Sequence, residues 1–210
     1  MRCVSIAAIA LLLAACKAPS PPTAAETPPE AAPAPSAAAP SAEEPANPAT
    51  GSLHVDLPAE GAIGFAGFGP AKFGASAEEV RMAWGGDLGD AAPSEPGGCY
   101  YLIPATQPRQ GYKIAFMVEG DRFVRIDVAS AEIVAPGGGR IGMDEAELQK
   151  LYHDALQSMP HKYVEGGRTL SVAASGVSPA RLVFETGADG KATAWRIGLP
   201  PQVDYVEGCS

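Results

Sequence analysis

Apolar positions fall into three regimes along this 210-residue chain. A nearly unbroken apolar run, Val4 to Ala15 with only Ser5 intervening, comes first. The stretch from Ala18 to Thr50 then contains no aromatic residue and no Val, Ile, Leu or Met. After it the pattern becomes periodic. Val80, Ala83 and Trp84, and later Leu148, Leu151, Tyr152 and Ala155, recur at three- and four-residue steps, which predicts two short helices with one buried stripe each. "KIAFMV" (113–118) and "RLVFE" (181–185) alternate instead, as half-buried strands do. Each runs through a turn into another strand, "EGDRFVRIDV" and "TGADGKATAWRIGL", the latter carrying the hairpin signal Asp189-Gly190. "CYYLI" (99–103) and "RTLSVAA" (168–174) predict one more strand ahead of each pair.

These elements come in the same order twice. "FGASAEEVRMAW" (73–84) and "IGMDEAELQKLY" (141–152) share an apolar-glycine pair, a capping residue, an acid three positions on, and an aromatic at the end of the stripe. Ser76 with Glu79 and Asp144 with Glu147 have the spacing of capping boxes, in which the cap side chain takes the N3 amide and the acid takes the cap amide. Gly74 and Gly142 let the chain turn tightly into each helix. The returning strands align Arg125-Ile126 with Arg196-Ile197. Helix and meander sheet are segregated within each copy, so the expected fold class is α+β: two tandem units, each a short helix on a three- to four-stranded antiparallel sheet. One such unit buries little core alone, and neither has its own cysteine pair.

On these residues (Phe73-Gly74, Ser76, Glu79, Val80 and Ile141-Gly142, Asp144, Glu147, Leu148) the chain resembles the beta-lactamase-inhibitor-protein-like and SmpA/OmlA-like groups of secreted or lipid-anchored bacterial proteins. The resemblance covers about 140 residues and implies tandem helix-plus-sheet units. This chain departs from it by having proline and glycine at 93–98, where a second helix of the first unit would sit.

The first apolar run has the length of a secretory signal and is too short to span a bilayer. It closes in Leu13-Ala14-Ala15-Cys16, which is similar to the lipobox of bacterial lipoproteins, where the cysteine carries the lipid. Lys17 replaces the aspartate of inner-membrane retention, which implies the outer membrane, facing the periplasm. The reading is therefore a signal peptide at 1–15, lipidated Cys16 with a disordered tether to 56, and an α+β domain at 57–210, with units at about 62–130 and 131–210. The tether has 12 Ala and 10 Pro between residues 18 and 50 and cannot build a core. The formal net charge is −9, a poor match for nucleic acid or anionic membrane surfaces, so contact with the membrane is expected through the lipid alone. With Cys3 in the signal and Cys16 lipidated, Cys99 and Cys209 remain and are expected to pair in an oxidising compartment. The alternative is Cys99 as a nucleophile.

Catalytic signals are sparse. "GGGRIG" (137–142) satisfies G-x-G-x-x-G, but Asp144 would put negative charge where a pyrophosphate must sit, and no βαβ alternation surrounds it. His54, His153 and His161 lack zinc-ligand spacing, and no G-x-S-x-G elbow occurs. The expectation is no cofactor, no metal and no catalytic residue. The strand face opposite the expected core carries Lys113, Met117, Phe123, Arg125 and Asp127 in one unit and Arg181, Val183, Glu185 and Arg196 in the other. Arginine with exposed Phe and Met is interface chemistry, so Lys113, Met117, Phe123, Arg125, Arg181 and Arg196 form the candidate binding face. The expected function is non-catalytic binding, most simply to another envelope protein, in assembly or in inhibition of a hydrolase. A lectin-like module for envelope glycans is the alternative, with Tyr100 or Tyr101 as the sugar contact, and an enzyme, which would require buried, pKa-shifted carboxylates or a reduced Cys99, is the second alternative. The spacing of Trp84, Tyr152 and Trp195 places those three in the core.

Overall fold

In the computed structural model the described residues are 57–209, so the signal run, Cys16 and the tether lie outside them. Both helices begin at the capping boxes. Helix α1 (Ala77–Trp84) starts at Ser76, whose side chain accepts from the Glu79 amide, while the Glu79 carboxylate accepts from the Ser76 amide at 2.8 Å. Asp144 and Glu147 repeat this at the start of α2 (Glu145–Tyr152), at 2.9 Å in each direction. A carboxylate is favoured in this place because four amides at a helix start lack intrahelical partners. Helix α1 stops at Gly85, which is left-handed at φ 74°. Helix α2 gives way to a 3-10 turn, His153–Ala155, so Ala155 falls outside the helical stripe that its spacing predicts.

The two glycine lead-ins are built alike. Gly74 and Gly142 adopt φ +93° and +92°, and their amides donate to Phe123 O at 2.7 Å and Ala192 O at 2.8 Å. Their carbonyls accept from Arg122 Nη1 at 3.0 Å and Lys191 Nζ at 3.3 Å.

The described residues form two antiparallel sheets. The smaller one, β1 (Ile63–Gly64), β2 (Gly67–Phe68) and β3 (Ala71–Lys72), goes unpredicted, since two-residue strands are too short to show alternation. The larger contains β4 (Tyr100–Leu102), β5 (Ile114–Glu119), β6 (Arg122–Val128), β7 (Leu156–Pro160), β8 (Arg168–Ala173), β9 (Arg181–Thr186) and β10 (Ala192–Gly198). Their spatial order is β4-β5-β6-β10-β9-β8-β7. The strands after α1 and those after α2 thus share one continuous sheet, sewn together by β6 and β10 with Ile126 opposite Ile197. Strand β7, also unpredicted, forms one edge.

One face of the large sheet carries the core. Leu102, Ile114, Phe116, Ile126, Leu182, Phe184 and Ile197 pack with Val80 and Trp84 of α1 and Leu148 and Tyr152 of α2. Trp84, Tyr152 and Trp195 are all buried, as their spacing predicts. Trp84 meets Phe116 edge-on at 5.6 Å between centroids. The glycine-rich stretch is part of this packing. The Gly139 amide donates to the Tyr152 hydroxyl at 3.0 Å, which donates to Pro136 O at 2.8 Å. A Cβ on Gly139 would lie 2.5 Å from Phe184 Cζ, so glycine there permits close approach of helix, loop and sheet.

Candidate functional site

The second face of the large sheet is set by its register, because paired residues share a face. One row across it reads Tyr101, Met117, Arg125, Gly198, Arg181, and the next reads Ala115, Asp127, Arg196, Val183, Ser171. These rows hold most of the residues expected to form an open binding face, but the face is closed. After β10 the chain turns back, with Leu199 N donating to Val124 O at 2.8 Å, and residues 199–209 run across the sheet as a strap. Its 3-10 turn (Gln202–Asp204) lies over β6, β9 and β10, with Val203 fully buried. The Cys99–Cys209 disulfide, expected from the cysteine count, fastens the far end beside β4.

The expected face is therefore corrected residue by residue. Met117 is fully buried, and Arg125 and Arg196 are 3% and 5% exposed. The arginines hold the strap. Arg125 Nη1 donates to Gln202 O at 2.8 Å and Tyr205 O at 2.6 Å, and Arg196 Nε donates to Val203 O at 2.6 Å. Guanidinium groups suit this task because one head carries several donors in a fixed fork and a carbonyl has two lone pairs, so Gln202 O can accept from Arg125 as well as from the Tyr205 amide. Arg181, partly exposed, pairs with Asp204 of the same strap. Phe123 lies on the core face. A bulge at Val124, between the Met117–Arg125 and Val118–Phe123 pairs, shifts the alternation by one residue, and the Phe123 ring packs tilted against Phe73 and edge-on against Phe116. Lys113 alone stays well exposed, paired with Glu132 at 2.7 Å. Interface chemistry is present on this face, and the chain's own strap occupies it.

Between strap and sheet lies a hollow of about 250 Å3, with Tyr101, Tyr112, Arg125, Asp127, Glu185 and Arg196 among its walls and Val206 to Cys209 on one side. The charges on its sheet wall are paired. Asp127 takes both Nε and Nη2 of Arg125, and Glu185 Oε1 takes Arg196 Nη1. Glu185 Oε2 sits 3.5 Å from His161 Nε2, while His161 Nδ1 accepts from the Tyr163 and Val164 amides at 3.0 and 3.1 Å, which leaves the ring proton on Nε2. Burial opposes charge on Arg125, but Asp127 outweighs it and its pKa is raised. The rings of Tyr101 and Tyr112 stand 6.0 Å apart. Burial, reinforced by Asp127, holds the Tyr101 phenol far above its usual range and pushes Tyr112 up to about 12.

A second hollow, about 460 Å3, lies on the strap's other side and is lined by Glu119, Lys162, Tyr163, Tyr205 and Glu207. Tyr163 is 55% exposed, its hydroxyl bound to Glu207 and Lys162 Nζ 4.7 Å from its ring centroid. Tyr100, half-buried, packs against the core and lines neither hollow, whereas Tyr101 lines the first. Sequence reasoning missed Tyr112, Tyr163 and Glu207 as site residues, because they sit in connections without periodicity. One signal could have found them. A bridge from Cys99 to Cys209 obliges the last ten residues to cross from the sheet centre to its edge.

No protein-family model matches the chain, and no curated protein matches it. Two solved structures share partial likeness. An extracellular protein containing an SCP domain, from Bacillus anthracis, is 14% identical with a TM-score of 0.40, covering 60% of this chain and 44% of that one. A DUF4309 family protein from Bacillus subtilis is 13% identical with a TM-score of 0.37, covering 60% of this chain and 78% of that one. This chain thus spans less than half of the first protein's length. Neither likeness bears on function. Among the described residues no helix is long and apolar enough to cross a membrane.

Proposed function

We propose that this chain is a lipid-anchored protein of the bacterial cell envelope with a non-catalytic binding role, and that it binds on the strap side of its large sheet. The anchor is Cys16, the location is the periplasmic side of the outer membrane, and the disulfide suits an oxidising compartment. The reading as two tandem helix-plus-sheet units, similar to the beta-lactamase-inhibitor-protein-like and SmpA/OmlA-like groups, is supported by the matching lead-ins at Gly74 and Gly142 and by their matching cations, Arg122 and Lys191.

One observation carries the binding reading. The strap is fixed across the sheet by Arg125, Arg196 and the disulfide, and it leaves two hollows, the smaller of which has its Asp127 and Glu185 carboxylates already paired with Arg125 and Arg196. Paired charges offer directed hydrogen bonds without a poised acid, base or nucleophile, which supports recognition over turnover. The partner is an envelope protein or a glycan. The exposed Tyr163 with Lys162 suits a protein hot spot. The smaller hollow suits a sugar.

The test is capture from the native envelope by the immobilised full chain, compared with a Lys162→Ala, Tyr163→Ala variant and with Tyr112→Phe. One component held in stoichiometric amount and lost with either variant supports the reading. A component held equally by all three, or none held, overturns it.

A further inference from the structure

We infer that the hollow between the strap and strands β6 and β10 takes one neutral, hydroxyl-rich ring, the terminal residue of an envelope glycan. This inference rests on the binding reading above and names its ligand class. The charge balance of the walls is the first reason. Arg125 is committed to Asp127 and the strap carbonyls, and Arg196 to Glu185 and Val203. An anion would find no free guanidinium pair and would face Glu207 at the rim. A cation would find the two carboxylates of the sheet wall, Asp127 and Glu185, already paired with arginines. A neutral ligand loses nothing by entering.

What the walls still offer is the second reason. Arg196 uses Nε and Nη1, which leaves Nη2 able to donate to a ligand in the hollow. Asp127 and Glu185 each keep lone pairs that can accept further hydroxyl donors. Tyr112 adds a phenol hydroxyl able both to donate and to accept, while the Tyr101 hydroxyl beside it is held by Arg125 Nη2 at 3.5 Å and by Asp127. Ala194 and Val206 supply apolar wall for a C–H face. Alternating donors and acceptors around small apolar patches match a pyranose ring, whose hydroxyls do both.

Size is the third. At about 250 Å3 the hollow lies below the roughly 300–1,000 Å3 of drug-sized sites, which fits one ring and excludes an internal segment of a chain. The exposed Ala129 and Glu207 mark where the hollow meets solvent, so the remainder of a glycan would leave there.

The experiment is calorimetric titration of the full chain in detergent, disulfide intact, with a panel of neutral hexoses and N-acetylhexosamines as mono- to trisaccharides, and separately with inorganic phosphate. Wild type should bind at least one neutral sugar one-to-one. Tyr112→Phe, which keeps the ring and removes only a hydroxyl, should weaken that affinity about tenfold, as loss of one directed hydrogen bond does. Met82→Ala, on the exposed side of α1 and away from the strap, should leave it unchanged. No saturable heat with any neutral sugar at millimolar concentration, equal affinity in Tyr112→Phe, or displacement of the sugar by phosphate would overturn the inference. If the sugars fail while envelope capture still yields a protein lost with Lys162→Ala, Tyr163→Ala, the ligand class is wrong and the binding role stands.

Discussion

Replacing Cys99 and Cys209 together by alanine opens a loop of 110 residues and separates two contributions to the strap. The first acts on the unfolded chain. Loop-closure entropy for that length amounts to about 4.8 kcal/mol at 25 °C. For a domain of roughly 150 residues each kcal/mol moves the midpoint by about 2–4 °C, so the variant should melt about 10–20 °C below the parent. The second contribution is in the native state and should survive. Val203 stays buried, and Arg125 and Arg196 still donate to the carbonyls of Gln202, Val203 and Tyr205. Denaturant unfolding read by circular dichroism gives the first quantity. Hydrogen exchange at the Val203 amide, which donates to Leu199 O at 2.8 Å, gives the second. A stability loss below about 1 kcal/mol in a two-state transition would refute the entropic account. Full loss of Val203 protection in the folded variant would show instead that the arginines do not hold the strap on their own.

Three further outcomes follow from the same packing. Arg125→Met leaves Asp127 buried without its cation and removes a donor from the strap carbonyls of Gln202 and Tyr205, of which Gln202 O keeps the Tyr205 amide, costing about 3–5 kcal/mol by urea unfolding, whereas Arg125→Met with Asp127→Leu should recover much of it. Gly139→Ala drives a methyl against Phe184 and Tyr152 and should cost about 1–3 kcal/mol, seen as a lowered thermal midpoint; a neutral effect would mean that the loop yields. Tyr112, raised by burial to about 12 from an ordinary value of 10, binds its proton more tightly when folded. Its stabilising contribution is therefore complete below pH 10 and lost as pH rises toward 12, with Tyr101 acting in the same direction. A phenolate absorbance titration should show four tyrosines, Tyr100, Tyr101, Tyr112 and Tyr152, lagging behind the unfolded control, and two fewer with Tyr101→Phe, Tyr112→Phe.

Local chemistry was readable wherever one residue's neighbours in sequence are also its neighbours in space. The capping boxes at Ser76/Glu79 and Asp144/Glu147, the stop at Gly85 and the alternation of β5 and β9 belong to that class, because helix ends and strand faces depend on spacings of two to four residues. So does the disulfide, which followed from counting cysteines. The candidate face was misjudged because it depended on two events without local signature. A single bulged residue, Val124, turned Phe123 into the core. A segment with no periodicity returned across the sheet and consumed the hydrogen-bonding capacity of Arg125 and Arg196.

The sequence by itself thus determined the α+β class, where each helix begins, most of the strands of the large sheet and the pairing of Cys99 with Cys209, since all of these rest on short-range periodicity or on composition. Only the tertiary structure decided that the strands join through β6 and β10 into one sheet, and that its second face lies under a strap. The physical reason is that alternation tells which residues share a face but not what covers it. Covering is a long-range event, here across about 14 Å from the end of β10 to the edge at β4, three strand spacings away.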